Sequence, residues 1–284
     1  MSALTDSTGA VASVDSTMVC LLGGPYVLRA GQRLAVPDGS KRVLVFVALH
    51  GHIVDRRHLA GTLWPDGTEE RAAGNLRSAL WRLRGAGLDI LEGDKCGLGL
   101  RAGTVVDIHR LLRWADSVID GTSRPADWRG FNWNPEALAL LPGWYDDWLL
   151  FERERLRQRM LHALEAVSYR LSDTYHHAEA VEAAMMVVQL DPLRESGQRA
   201  LVCAHLAEGN FVEARRAYAA CRQSLLIELG VEPSDDLTRL VESWPAPAPA
   251  NTEQHHQRDT SSRLRTCQSQ PIRTPPVTRY AGTR

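Results

Sequence analysis

The first hundred residues are short apolar runs broken by glycine. Met18–Leu22, Tyr26–Leu28 and Arg33–Val36 are brief, rich in strand formers and separated by Gly23-Gly24-Pro25 and Gly31, which predicts three strands. The run Lys41–His50 is longer and follows a capping Asp38-Gly39-Ser40, so a helix ending at Gly51 is expected. Val54-Asp55 caps a second helix, Arg56–Leu63, which stops at Trp64-Pro65. Thr68-Glu69-Glu70-Arg71 opens a third, with acids in its first turn where the helix dipole favours them. Leu88–Leu91 and Leu98–Arg101, joined by a polar tip carrying Lys95, predict a β-hairpin.

The third helix is two-faced. Residues advance by about 100° around a helix. Ala72, Leu76, Ala79, Leu80 and Leu83 therefore share one stripe, with Ala73 at its edge, and this is the expected buried side. Arg71, Asn75, Ser78 and Arg82 share the opposite side, flanked by Gly74 and Trp81, with Arg77 and Arg84 further round.

Beyond residue 107 the pattern is helical. Helices are expected at Ile108–Ile119, Leu149–Ser172, 177–190, 195–208, 211–229 and 235–243, with an irregular, tryptophan-containing connection over 120–137. Ala178-Glu-Ala180 matches Val212-Glu-Ala214 and Ala184 matches Tyr218 at an offset of 34 residues, a tetratricopeptide-like period. The chain from Pro245 onward is rich in Pro, Ser, Thr and Arg without apolar periodicity, and residues 1–18 are rich in Ser, Thr, Ala and Asp, so both ends are expected to be disordered. The resulting division is 1–18, 19–106, 107–244 and 245–284.

Charge sharpens that division. The 284 residues carry a net −1, but it is a cancellation. Residues 19–106 carry +4, 107–245 carry −7 and 246–284 carry +4. A basic first domain precedes an acidic second one. No stretch is long and apolar enough to span a membrane. The five cysteines lack CxxC spacing, which fits a reduced, cytoplasmic protein.

Strands, three helices and a hairpin in that order make a winged helix-turn-helix. In such a unit the later helix enters the DNA major groove. Arginine reads guanine and asparagine reads adenine there. Arg71, Asn75, Ser78 and Arg82 are accordingly the base-edge candidates, and Lys41, Arg57, Arg77, Arg84 and Lys95 the phosphate candidates. Trp81 either stacks on a DNA sugar or supports the wing, and packing against the wing strands is the preferred reading. A DNA-binding role would make the protein nucleoid-associated.

These residues resemble the actinobacterial antibiotic regulatory (SARP) family of transcriptional activators. The resemblance rests on Leu22-Gly23-Gly24-Pro25, Leu59–Trp64 with Pro65, and Asn75-Leu-Arg-Ser-Ala-Leu-Trp-Arg-Leu-Arg84. It continues through Val106-Asp107, Leu141-Pro-Gly-Trp144, Phe151-Glu-Arg-Glu-Arg155, Asp191-Pro-Leu-Arg-Glu195, Ala207-Glu-Gly-Asn210 and Glu228-Leu-Gly-Val-Glu-Pro233. It implies a mainly α fold with small β: an OmpR-type winged helix followed by an all-α, tetratricopeptide-like bacterial transcriptional activator domain. It also implies homodimers on direct repeats of double-stranded DNA near promoters of a secondary-metabolite (antibiotic) gene cluster, with recruitment of RNA polymerase holoenzyme. The loop Pro65, Asp66, Gly67, Thr68, Glu69 and Glu70 would be the polymerase contact.

Enzyme chemistry is not expected. Neither lysine sits in a Walker A loop and no GxSxG is present. His50, His52 and His58 lack the thiol or carboxylate that would complete a metal set, and no cofactor is implied. Asp146-Asp147 is read as serving a helix N-terminus, and Arg153–Arg157 as a solvated face. The alternatives are an interaction scaffold whose winged helix binds protein, and a ligand-gated repressor.

Overall fold

The computed structural model describes residues 17–124, 127–128 and 135–243. The expected disordered tail 245–284 and most of the N-terminal segment lie outside the described residues. The strand β1 (Thr17–Cys20) starts inside the latter. It pairs antiparallel with β2 (Tyr26–Arg29), which pairs with β3 (Gln32–Ala35). The helix α1 spans Asp38–His50, α2 spans Arg56–Leu63 and α3 spans Glu69–Gly85. The first begins at Asp38 rather than Lys41, because the extended Pro37 leaves the chain free to turn at once. Asp55 caps α2 by accepting from the amides of Arg57 and His58, both at 2.9 Å.

The hairpin is shifted from its expected position. The short β4 (Val54–Asp55) pairs with β6 (Gly97–Leu100), which pairs with β5 (Leu91–Gly93). Leu88 and Ile90, expected in a strand, are buried ahead of it. Glycine drives the register: a Cβ on Gly93 would lie 2.2 Å from the Gly97 carbonyl oxygen. A further strand, β7 (Thr104–Val106), runs parallel to β1 and completes the four-stranded order β3-β2-β1-β7.

The helical part comprises α4 (Asp107–Ile119), α5 (Asp147–Asp173), α6 (His177–Leu190), α7 (Glu195–Glu208), α8 (Phe211–Leu229) and α9 (Asp235–Glu242). A 3-10 turn spans Pro135–Leu138. The described chain divides into two compact units, one reaching Val167 and including Met185–Asp191, the other holding Ser168–Ala184 and the residues from Pro192 on.

In the first unit the composition shift at Asp107 is not a structural break. Asp107 is buried and accepts from the backbone amides of Leu21 (2.9 and 3.0 Å), Leu22 (3.0 Å) and Ile108 (2.7 Å). Burial pushes its carboxyl above the usual value, against the lowering effect of those amides. Leu22 bridges Leu140, Arg42 pairs with Asp146, and Phe46 meets Trp148 edge-on. Asp146 is therefore an ion-pair partner, while Asp147 does open α5. The Arg153–Arg157 run is more than a solvated face. Arg153 donates to the carbonyls of Leu140, Leu141 and Trp144, and Arg157 bridges Glu154 and Asp191.

In the second unit Val202, Leu206, Ala214, Cys221, Leu225, Leu237 and Val241 form one core. The 34-residue offset relates the starts of α6 and α8 and sets Ala180 and Ala214 at equivalent buried positions. No described helix is long and apolar enough to cross a membrane.

Candidate nucleic-acid interface

Two short-range devices build the helix-turn-helix. Leu63 ends α2 because Pro65 cannot continue it. Three residues after that proline Thr68 caps α3 by accepting from the Arg71 amide at 3.4 Å, and Glu69 and Glu70 occupy the first turn. The helix buries Ala72, Leu76, Ala79 and Leu83, as its pattern requires, while Leu80 is half-buried. Ser40, fully buried, donates its hydroxyl to the Ala79 carbonyl at 2.7 Å and ties α3 to α1.

This burial leaves Arg71, Arg77, Ser78, Trp81, Arg82 and Arg84 exposed, with Asn75 half-buried. The Arg82 guanidinium donates to the Gly39 carbonyl at 3.3 Å, beside the start of α1. Trp81 corrects the sequence expectation. It is 75% exposed and does not pack on the hairpin.

The wing tip is tightly specified. Asp94 accepts from the amides of Cys96 and Gly97, both at 2.8 Å, and these bonds, Gly97 first, hold its carboxyl below the usual value. Arg56 donates to the Asp94 carbonyl at 3.2 Å. Lys95 is left exposed at the crest.

Of the phosphate candidates, Arg57, Arg77 and Lys95 line one groove of about 840 Å³ between α2, α3 and the wing. Its floor includes Ala60, Ala72 and Leu76. Pro65, Gly67, Glu69 and Glu70 of the candidate polymerase loop line it too, so residues assigned to two different partners share one surface. Asp66 and Thr68 are exposed in the same loop. Arg84 is exposed near the end of α3. Lys41 stands apart in the first turn of α1, paired with Asp38 at 2.5 Å.

Two features escaped the sequence reading. Asp107 clamps two amides of a distant strand end, and Arg56 secures the wing. The second was readable as a basic residue at the start of a capped helix, but only the β4–β6 pairing shows what it meets. Among the described residues no three His, Cys, Asp or Glu are placed to hold a metal ion. His50 and His52 instead bring ring nitrogens to within 2.8 Å of the carbonyls of Phe46 and His50, respectively.

Known proteins share this arrangement. Residues 131–243 match the bacterial transcriptional activator domain. The chain is 27% identical over 241 residues to regulatory protein AfsR of Streptomyces griseus, covering 81% of this chain and 24% of that one. It is 30% identical over 234 residues to regulatory protein AfsR of Streptomyces coelicolor, covering 78% and 23%. The chain thus spans about a quarter of the length of these relatives. In three dimensions it resembles Mycobacterium tuberculosis EmbR, solved in complex with a low-affinity phosphopeptide. The TM-score is 0.64 at 18% identity, over 89% of this chain and 69% of that one. Residues 131–243 thus form a bacterial transcriptional activator domain, in a chain that resembles the AfsR regulatory proteins over about four fifths of its own length.

Proposed function

We propose that the chain is a sequence-specific DNA-binding transcriptional activator that controls a secondary-metabolite gene cluster. It acts as a homodimer on direct repeats near promoters and recruits RNA polymerase holoenzyme. One observation carries the DNA reading. The second helix of a capped helix-turn-helix exposes Arg71, Arg77 and Arg84, which have no ion-pair partner among the described residues. Unpaired guanidinium groups exposed along a helix set up a local positive field that attracts a polyanion. On this reading Arg71, Asn75, Ser78 and Arg82 face base edges. Lys41, Arg57, Arg77, Arg84 and Lys95 face phosphates. The exposed loop Pro65–Glu70, at the mouth of the groove, is left to the polymerase.

A promoter fusion tests the reading. DNA fragments retained by the full chain are placed upstream of a reporter, and transcription is measured with and without the protein. A rise that Arg77→Ala or Arg84→Ala reduces supports an activator. A fall makes it a repressor, and failure to retain any fragment overturns DNA binding.

A further inference from the structure

The exposed arc of α3 has an order that its sequence pattern hid. At about 100° per residue, Gly74, Ser78, Trp81 and Gly85 form the ridge at its centre. Arg71 and Arg82 flank this ridge on one side, and Arg77 and Arg84 on the other. The ridge therefore presents two glycines and a serine around a single large side chain. That side chain, Trp81, is among the most exposed large apolar groups described.

Two independent observations say that something covers this ridge. First, a tryptophan buries 150–250 Å² when it is used (about 200 Å² typically), and here three quarters of its surface faces outward. Second, Gly74 lies inside the helix, where glycine costs about 1 kcal/mol relative to alanine. Nothing in the fold requires it. A Cβ there would meet only the Arg77 Nη2, at an ordinary 3.7 Å. Glycine is otherwise retained in such places where another surface comes close. The arginines on both flanks fix the chemistry of that surface: negative on two sides, with an apolar target between. Arg82 is drawn toward Gly39, which leaves the indole as the group projecting furthest along the centre.

We propose that Trp81 is the side chain of α3 that reads the floor of the DNA major groove. Its indole lies against the methyl group of a thymine, and Gly74 lets the groove close in beside it. Arg71 and Arg82 reach electronegative base edges on one side of the indole, and Arg77 and Arg84 meet the phosphates of the groove wall on the other. Thymine is the base that offers an apolar group in this groove. The proposal rests on the DNA reading above and adds to it a specificity-determining residue.

The test is selection of duplexes from a randomised library by the full chain, followed by affinity measurements on the selected duplex. The wild type should select a thymine at one fixed position of each repeat, and Trp81→Ala should lose that preference while retaining the others. Replacing that thymine with deoxyuridine, which removes only the methyl, should weaken the wild type about four-fold, the value of one buried methyl-sized group. Trp81→Ala should bind both duplexes equally. Gly74→Leu should lose binding while its melting temperature holds or rises, which separates blockage from misfolding. If Trp81→Ala selects the same sequence, or pays the same deoxyuridine penalty as the wild type, DNA binding stands and the role of Trp81 falls. If the wild type selects no sequence at all, the DNA reading fails and this inference with it.

Discussion

Replacing Asp107 with alanine removes the acceptor for two amides of the strand end that leads from β1. Leu21 is completely buried, and its N–H is held by both carboxylate oxygens; that of Leu22 is held by one. An orphaned buried donor costs about 1–3 kcal/mol. The Ile108 amide, in the first turn of α4, loses the same acceptor. Against this loss stands relief from burying a carboxylate, a penalty visible in its raised pKa. The net expectation for Asp107→Ala is a destabilisation of about 2–4 kcal/mol, read as a lower urea midpoint at unchanged slope. The pH dependence follows from the direction of the shift. A carboxyl whose folded pKa is raised contributes most below its unfolded value of about 3.9, and that contribution is lost as pH rises through the folded value. The gap between wild type and variant should therefore be widest at the acid end of the folded range and shrink toward neutrality. A loss under about 0.5 kcal/mol would show that the Leu21 and Leu22 amides find other partners, and the clamp would be incidental.

Asp55→Ala removes both cap bonds of α2 and should cost about 1 kcal/mol in thermal unfolding, with weaker DNA binding because α2 supports α3. Gly93→Ala places a Cβ against the Gly97 carbonyl and should open the wing at about 1–3 kcal/mol; hydrogen exchange at the Asp94 and Arg101 amides, which bond to the Gly97 and Ile90 carbonyls, reports it. Cys96 is exposed, whereas Cys20 and Cys221 are buried and their thiols are pushed up to about 11, chiefly by burial. In a Cys267→Ser background a disulfide reagent should therefore find one fast thiol in the native protein. A second would mean that a buried site opens.

Much of this architecture was legible because its signals are local. Asp55 and Thr68 announced the starts of α2 and α3, and the stripe Ala72, Leu76, Ala79 and Leu83 named the buried side of α3. What could not be read depends on partners distant in sequence. The parallel pairing of β7 with β1 joins Thr104 to Thr17. The hairpin register is set by the close approach of Gly93 to Gly97, which an alternation of Leu and Ile does not reveal. Arg153 looked like one charge among several, yet three carbonyls of the 140–144 segment converge on it. Trp81 failed for a related reason. Its type suggested a core residue, and only the positions of α1, α2 and the wing show that none of them reaches it.

The central claim, that α3 and the wing meet DNA, is tested most directly by the affinity of the full chain for a selected duplex as salt is varied. Five phosphate contacts, from Lys41, Arg57, Arg77, Arg84 and Lys95, should give a slope of log K against log salt of about −4.5 per subunit. Removing Lys95 should make it shallower by about 1 on that scale. Binding that does not change with salt would contradict the account, as would no binding at all.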